Sequence, residues 1–217
     1  MDTRDQIAIL ANGAAPRHPI PRQILAEASL LVCCDGALAT ARALGREPDF
    51  VVGDGDSISP ADRESLGERF VHVAEQDTND LDKAFRFVCS HTTQPPASLR
   101  IAILGATGLR EDHSLGNIFR LVDFTATVPN TTIYTDTGIF EAVRGERTFA
   151  VRPRDAVSVF APIPGTMVSS DGLQWPLDGV SLANLWTGTL NRATGDSFTL
   201  RTDGRPVLVY RFGPETE

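Results

Sequence analysis

The chain has 217 residues, of which 41% are hydrophobic, and this length suffices for a buried core in one large or two small domains. Its formal net charge of -8 and isoelectric point near 5.0 argue against nucleic acid as a partner, because phosphate contacts need a basic face. The apolar stretch at the N-terminus is too short for a signal peptide and no run approaches about 20 apolar residues, so we expect a cytoplasmic protein that binds no membrane.

The first part of the chain alternates short β-rich runs with helical patterns, which is typical of a parallel α/β sheet. Six runs are predicted to be strands, at residues 7–11, 30–34, 50–53, 70–73, 99–104 and 131–135. Ser59 followed by Pro60 is typical of a helix start, and Thr78 or Asn79 is predicted to cap another helix. Two sets of apolar residues at helical spacing each predict one buried stripe. They are Leu81, Ala84, Phe85 and Val88, and Leu115, Ile118, Phe119 and Val122.

After Asp136 the pattern changes to short β-rich runs separated by Pro, Gly and Asp, which is typical of antiparallel all-β structure. The predicted strands are residues 140–143, 148–151, 156–160, 166–169, 198–201 and 207–212. We therefore predict an α/β protein with an N-terminal parallel, Rossmann-like domain over residues 1–136. A C-terminal all-β domain, either a sandwich or a barrel of short antiparallel strands, is predicted over residues 137–217.

Four acidic clusters follow apolar runs of the first domain, where ligands bind in open parallel sheets. They are Asp35 in CCDG, Asp54 and Asp56 in VVGDGDS, Asp77 and Asp80 in QDTND, and Asp112 in GLREDH. Two carboxylates about 4 Å apart repel by roughly 4 kcal/mol at an effective dielectric constant near 20, so a divalent cation is expected among them. Asp54 and Asp56 point to the same side of an extended segment, which suits Mg²⁺. Taken alone, DGD is also explained as an ordinary polar turn.

Two further segments suit an anionic ligand. QDTND opens a predicted helix, whose early N–H groups can face a phosphate, although a capped helix explains it as well. GATGLREDHSLGN follows a strand and aligns Arg110, Asp112, His113 and Asn117. Arg110 can hold a phosphate oxygen pair, whereas His113 alone is also explained as a hydrogen-bonding residue at a helix start. Neither G-x-G-x-x-G nor G-x-x-x-x-G-K-[ST] occurs, so the common nucleotide motifs are absent.

In order and spacing, the motifs CCDGA, VVGDGDS, QDTND with Lys83, and GATGLREDHSLGN resemble those of thiamine pyrophosphokinases, also called thiamine diphosphokinases. The likeness continues through SSDGLQWPL and GTLNRATGD, so it covers nearly the whole chain. The resemblance implies an N-terminal α/β domain and a C-terminal β-sandwich domain, in a homodimer that binds thiamine in clefts between subunits. It also implies transfer of a pyrophosphoryl group from ATP to the thiamine hydroxyl, with Mg²⁺ and release of AMP.

Matched by position, the resemblance implies that Asp54, Asp56 and Asp80 bind Mg²⁺ and act in catalysis. We assign a second set to ATP and its phosphates: Asp35, Gln76, Asp77, Lys83, Arg110, Asp112, His113 and Asn117. The resemblance also implies that Trp175, Thr189 and Asn191 bind thiamine, with Trp175 stacking on the vitamin. A core tryptophan is the alternative role for Trp175.

Three positions depart from the family pattern. Family sequences often read GDFDS where this chain reads GDGDS, so Gly55 replaces a phenylalanine. The loss of that ring is expected to loosen the loop that binds the metal. Leu109 replaces a glycine before Arg110. Leu190 replaces a hydroxyl, which is expected to cost about 1 kcal/mol of thiamine affinity. Two alternatives therefore stay open: a pyrophosphokinase for another heterocyclic alcohol such as a hydroxymethylpterin, and a non-catalytic thiamine or nucleotide binder.

Overall fold

The structure is a computed structural model, and it describes residues 5–212. The chain forms two compact units. Unit 1 extends to Arg120 and resumes over Phe124–Asp136, whereas unit 2 takes Leu121–Asp123 and the chain from Thr137 onward. Within the described residues, every helix is too short or too polar to cross a membrane.

Unit 1 contains a parallel sheet whose six strands match the six predicted for this half. They are β1 (Ile7–Leu10), β2 (Leu30–Cys34), β3 (Phe50–Gly53), β4 (Phe70–His72), β5 (Arg100–Leu104) and β6 (Asn130–Tyr134). Their order in unit 1 is β6-β5-β1-β2-β3-β4, and all these neighbours pair in parallel. The chain moves outward from β1 to β4 and then returns to the other side of β1 with β5. The strand order therefore reverses between β1 and β5, which is where ligands bind in open α/β sheets.

Five α-helices connect these strands. They are α1 (Pro19–Glu27), α2 (Leu38–Ala43), α3 (Pro60–Leu66), α4 (Asp80–His91) and α5 (Glu111–Thr127). The predicted caps are confirmed for two of them. The Ser59 hydroxyl accepts the Asp62 N–H at 3.1 Å at the start of α3, and the Asn79 side-chain oxygen accepts the Asp82 N–H at 2.8 Å at the start of α4.

The apolar stripe predicted on α4 is confirmed, because its members are all buried: Leu81, Ala84, Phe85 and Val88. The stripe predicted on α5 is confirmed only in part, because Ile118, Phe119 and Val122 are half-buried. Leu115 is 57% exposed, and the buried residues of this helix are Leu121 and Phe124, with Phe124 stacked on Phe85. The face of α5 that carries Leu121 and Phe124 has polar residues in the first turns of the helix. The spacing of apolar residues in the sequence therefore predicted burial of a neighbouring face.

Unit 2 contains two antiparallel arrangements of strands. Its strands are β7 (Gly138–Val143), β8 (Glu146–Ala150), β9 (Ala156–Phe160), β10 (Thr166–Asp171), β11 (Val180–Leu182), β12 (Gly188–Arg192), β13 (Ser197–Thr202) and β14 (Val207–Phe212). One set has the order β12-β9-β14-β7, and the other is a separate sheet with the order β11-β10-β13-β8. Strands from both sets contribute to one buried cluster that includes Phe149, Val159, Leu182, Phe198 and Val209. The chain is therefore a mixed α/β protein, as predicted.

Sequence patterns missed β11 and β12. The first has only three residues, and the second contains a register shift between Gly188 and Asn191. Within that shift Leu190 has φ of 59° and is 81% exposed. A bulge breaks the alternation of side chains by which strands are recognised in a sequence. Leu190 therefore points to solvent, although it is apolar.

Candidate active site

A cleft of about 500 Å³ lies in unit 1 at the carboxyl ends of the parallel strands. Its lining includes Asn12 and Gly13 after β1, Cys34 at the end of β2, Asp54 after β3, and the segments that begin α4 and α5. Among the residues predicted for the site, the cleft is lined by Asp54, Gln76, Asp80, Lys83, Arg110, His113 and Asn117. The lining does not include Asp35, Asp56, Asp77 or Asp112.

Lys83 is the only lysine of the chain, and it lies between two of the predicted carboxylates. Its Nζ is 3.1 Å from Oδ1 of Asp80 and 3.6 Å from Oδ2 of Asp54, and the residue is only 3% exposed. Burial disfavours the ammonium form, but the hydrogen bond and charge of Asp80 outweigh it and raise the pKa of Lys83. Lys83 is therefore a fixed positive charge beside the cleft.

Asp54 is held in a defined orientation by its neighbours. Gln76 Nε2 donates to its Oδ2 at 2.9 Å, and the Asp56 N–H donates to its Oδ1 at 3.1 Å. The Gln76 amide first, and then the Asp56 N–H, lower the pKa of Asp54, with a smaller contribution from Lys83. Asp54 is therefore ionised at neutral pH. The side chain of Asp56, two residues further on, is exposed to solvent.

Asp35 lies beneath the GDGDS segment and is 3% exposed. Its Oδ2 accepts the Gly55 N–H at 3.0 Å, and its Oδ1 accepts the Gly36 N–H at 2.6 Å. Burial raises the pKa of Asp35, and the charge of Asp80 raises it further, against the effect of the two N–H groups. Asp35 thus holds the loop that carries Asp54.

Glu75 organises the loop that leads into α4, and the sequence patterns did not single it out. It accepts the N–H groups of Asp77 and Thr78 at 2.8 and 3.0 Å and pairs with Arg86. The Thr78 hydroxyl and the Arg86 guanidinium lower the pKa of Glu75 to about 2. Asp77 therefore contributes its backbone to this loop, and its side chain is exposed.

The start of α5 supplies the other side of the cleft. Arg110 donates to both oxygens of Asp112, at 3.1 and 2.6 Å, and both side chains are more than 60% exposed. Arg110 first, and then the His113 N–H, lower the pKa of Asp112 to about 2. Leu109, one of the three departures from the family pattern, lines the cleft beside them and is 65% exposed.

Asn117 links the two helix starts that face the cleft. Its Nδ2 donates to the Ala106 carbonyl at 2.9 Å, and its Oδ1 accepts from Asn79 Nδ2 at 3.2 Å. Ser114, on the same face one turn earlier, donates to the Arg110 carbonyl at 2.8 Å. This face of α5 is polar where it lines the cleft and apolar further along, which accounts for the misplaced stripe.

Sequence reasoning also missed the loop after β1. The Gly13 N–H donates to the Gly105 carbonyl at 2.7 Å, and the Ala14 N–H donates to the Thr107 carbonyl at 2.8 Å. A Cβ on Gly13 would come within 2.6 Å of the Thr107 oxygen, so only glycine allows this approach. The segment ANGAAP carries no charged group, and its role is visible only from the pairing of β1 with β5.

The residues predicted for thiamine lie in unit 2. Trp175 is 54% exposed, and buried Asn191 fixes its backbone by accepting its N–H at 3.1 Å and donating to its carbonyl at 2.6 Å. The Thr189 hydroxyl donates to the Trp186 carbonyl at 2.8 Å. Asn191 therefore holds the backbone of a tryptophan that is more than half exposed.

Within residues 5–212, no three acidic, His or Cys side chains are grouped closely enough to hold a metal ion by themselves. The donor chemistry nevertheless fits Mg²⁺, which typically takes one or two carboxylates together with phosphate oxygens and water. Asp54 and Asp80, both within 4 Å of Lys83, provide two such carboxylates at the cleft.

The sheet order and its cleft place unit 1 among the α/β proteins that bind ligands beyond the carboxyl ends of their strands. Two family models match the sequence: the thiamin pyrophosphokinase catalytic domain over residues 21–134, and the thiamin pyrophosphokinase substrate-binding domain over residues 138–210. The chain belongs to the thiamin pyrophosphokinase family.

A curated relative, thiamine pyrophosphokinase 1 of Oryza sativa, is 33% identical over 152 residues, which cover 63% of this chain and 55% of the relative. The chain spans about half the length of the curated relatives it matches. Two solved structures share the fold. The crystal structure of thiamine pyrophosphokinase from Bacillus subtilis aligns with a TM-score of 0.78 at 22% identity, over 96% of this chain and 99% of that one. Yeast thiamin pyrophosphokinase aligns with a TM-score of 0.80 at 15% identity, over 98% and 88%.

Proposed function

We propose that the protein is a thiamine diphosphokinase that transfers a pyrophosphoryl group from ATP to the hydroxyl of thiamine. The observation that carries this proposal is the pair Asp54 and Asp80 sharing buried Lys83 at the cleft of a family member. Two carboxylates and one ammonium suit the charges of a triphosphate and its metal. The products are thiamine diphosphate and AMP.

In the proposed reaction the thiamine hydroxyl oxygen forms a bond to the β-phosphorus of ATP. The bond from that phosphorus to the oxygen bridging to the α-phosphorus breaks, and AMP leaves with the electron pair. Asp80, which is partly exposed at the cleft, accepts the hydroxyl proton. Because phosphoryl transfer depends mainly on positioning and charge neutralisation, the fixed charges of the cleft are the main protein contribution.

Asp54, Asp56 and Asp80 are the proposed Mg²⁺ ligands, and the ion supplies charge neutralisation at the phosphates when bound. Asp54 and Asp80 line the cleft, which supports their assignment, and Asp56 stays a prediction.

Lys83 and Arg110 are proposed to bind phosphate oxygens, and Gln76 is proposed to orient Asp54 through its amide. Arg110 must exchange Asp112 for phosphate, which its exposed position allows. The roles of Asp35, Asp77, His113 and Asn117 toward ATP also stay predictions; the contacts of Asp35 and Asn117 favour support of the loops around the nucleotide.

The architecture we propose is a Rossmann-like domain over residues 1–136 and a β-sandwich domain over residues 137–217. The second domain binds thiamine through Trp175, Thr189 and Asn191 and supplies the dimer contacts. The exposed ring of Trp175 supports stacking on the vitamin. We propose a cytoplasmic homodimer with thiamine bound in clefts between subunits.

The test is an assay of purified protein with thiamine, ATP and Mg²⁺, in which thiamine diphosphate and AMP should form together. Release of ADP, or no product, would contradict the proposal. If hydroxymethylpterin is pyrophosphorylated and thiamine is not, the protein is a pyrophosphokinase for another heterocyclic alcohol. If thiamine binds tightly but is not converted, the protein is a non-catalytic binding protein. Asp56→Asn should lose most activity and keep its fold, whereas full activity would refute Asp56 as a metal ligand.

A further inference from the structure

Gly55, in the middle of GDGDS, is held from both sides although it has no side chain of its own. Its φ is 84°, in the left-handed region that favours glycine. Its N–H donates to buried Asp35 at 3.0 Å. Its carbonyl accepts from Arg63 Nη2 at 3.3 Å and from the Ile58 N–H at 3.4 Å.

Arg63 reaches this loop from α3 and occupies the space that a side chain at position 55 would take. A Cβ built on Gly55 overlaps the Arg63 guanidinium and comes within 3.0 Å of the Phe70 ring. The guanidinium carbon of Arg63 lies 4.9 Å from the centre of that ring. A planar, weakly hydrated guanidinium suits this combination of an aromatic face and a carbonyl oxygen.

The side chains that hold the N–H and the carbonyl of Gly55 come from different parts of unit 1. Asp35 is fixed by burial after β2, whereas Arg63 is a surface residue of a helix that lies between the loop and β4 in sequence. Gly55 separates Asp54 from Asp56, so rotation of its peptide groups redirects both carboxylates. A hydrogen bond to the Gly55 carbonyl therefore restrains the acidic loop, which comprises residues 54–56.

We propose that Arg63 is a positioning residue for the acidic loop, residues 54–56, with its guanidinium packed over Phe70 in the space that a Cβ at position 55 would take. Its guanidinium holds the Gly55 carbonyl and thereby the directions of Asp54 and Asp56. The consequence for catalysis rests on the proposed pyrophosphokinase function; the consequence for the loop does not. The loop expected to be loose because of Gly55 is instead restrained by contacts from a neighbouring helix.

The test compares Arg63→Met, which keeps bulk over Phe70 but loses the donor, with Arg63→Lys, which keeps a donor. Arg69→Met is the matched control, because Arg69 lies in the same segment and donates to the Pro48 carbonyl at 3.2 Å, away from the loop. Hydrogen exchange of the Gly55 and Ile58 amides is measured by NMR without nucleotide or metal. Arg63→Met should speed exchange at both amides about fivefold, the factor for one lost hydrogen bond. Arg63→Lys should speed it less, because it keeps a donor but not the planar guanidinium, and Arg69→Met should stay near wild type.

Steady-state kinetics then test the catalytic consequence. Arg63→Met should lower kcat about fivefold and raise the Mg²⁺ concentration needed for half-maximal rate, with KM for thiamine unchanged and with partial recovery in Arg63→Lys. Unchanged exchange in an active Arg63→Met enzyme overturns the positioning role alone. Faster exchange with unchanged kinetics overturns its catalytic part. A wild-type protein that releases no AMP overturns the proposed function, and the exchange rates still decide whether Arg63 holds the loop.

Discussion

At the residue scale, the cleft depends on a few side chains that each satisfy two neighbours. Lys83 contacts Asp54 and Asp80, and Asp35 supports the loop that carries Asp54. Apart from Lys83, every lysine-or-arginine position of the chain is arginine, so the one lysine is informative. The Lys83 ammonium is a compact point charge with three donors, and two of its neighbours are the carboxylates of Asp54 and Asp80.

Lys83→Met should therefore reduce the proposed activity by at least about a hundredfold, because the variant removes a fixed charge from the cleft. The weaker hold on phosphate should also raise the Kd for ATP, measured by calorimetry. Circular dichroism and the unfolding midpoint establish that the variant is folded. Near-normal ATP affinity and turnover in folded Lys83→Met would remove Lys83 from the site.

Gly55→Ala should lower the free energy of unfolding by about 1–2 kcal/mol from its positive φ, and further because its methyl group overlaps Arg63. Gly45→Ala is the matched control, since Gly45 has φ of 80° and open space around it. Urea denaturation of both variants measures the difference between their losses of unfolding free energy. Equal losses would show that the space beside Gly55 is not filled.

At the scale of elements, the loop before α4 and the face of α5 shape the cleft. Glu75 ties the loop to Arg86 on α4, and Asn117 on α5 ties two helix starts together. α5 uses one face for two purposes, polar at the cleft and apolar toward the core. Helical periodicity finds apolar faces, so it selected Leu115 and missed a face that begins with Ser114 and Asn117.

The two leucines of α5 provide a matched pair. Leu121→Ala should cost about 2–5 kcal/mol of unfolding free energy, because Leu121 is completely buried. Leu115→Ala should change it by less than about 0.5 kcal/mol, because Leu115 is 57% exposed. Chemical denaturation measures both, and similar losses in the two variants would contradict the face seen in the structure.

Glu75 predicts a pH dependence. Its pKa is lowered to about 2 in the folded chain, so its contribution to stability is present above the ordinary glutamate pKa and is lost as the pH falls toward 2. Glu75→Gln should therefore show a shallower loss of stability than wild type between about pH 5 and pH 2. Denaturant unfolding at intervals across this range measures the two slopes. Parallel slopes would mean that Glu75 is not held in its ionised form by Thr78 and Arg86.

At the scale of the whole molecule, each unit carries a separate part of the proposed function. Unit 1 has the charged cleft, and unit 2 has the exposed tryptophan whose backbone is held by Asn191. The two family models divide the chain in the same sense, into a catalytic and a substrate-binding domain. Variants in the two units should therefore affect different substrates.

Trp175→Ala should raise KM for thiamine by roughly tenfold, the cost of a lost stacking contact of about 1.5 kcal/mol, and leave KM for ATP unchanged. Because its ring is more than half exposed, the variant should keep wild-type stability. Steady-state kinetics with each substrate varied in turn make the comparison. An increase in KM for ATP with no change for thiamine would argue against thiamine stacking on Trp175.

The sequence by itself determined the parallel strands of unit 1, the helix caps at Ser59 and Asn79, and the strand-rich character of unit 2. These features follow from local periodicity and from residues that satisfy backbone groups a few positions away. The order of several weak motifs also determined the family. Local patterns did not reveal the short strand β11 or the bulged strand β12, because one is too brief and the other breaks the alternation of side chains.

Only the tertiary structure decided which predicted residues meet. Asp54 and Lys83 are distant in sequence and come together because the segment after β3 and the first turn of α4 line the same cleft. The same holds for Asp35 beneath Gly55, for Arg63 in the space beside it, and for the α5 face shared by cleft and core. Strand order and helix rotation are set by packing across the whole chain, so the partners of these residues cannot be read from their spacing.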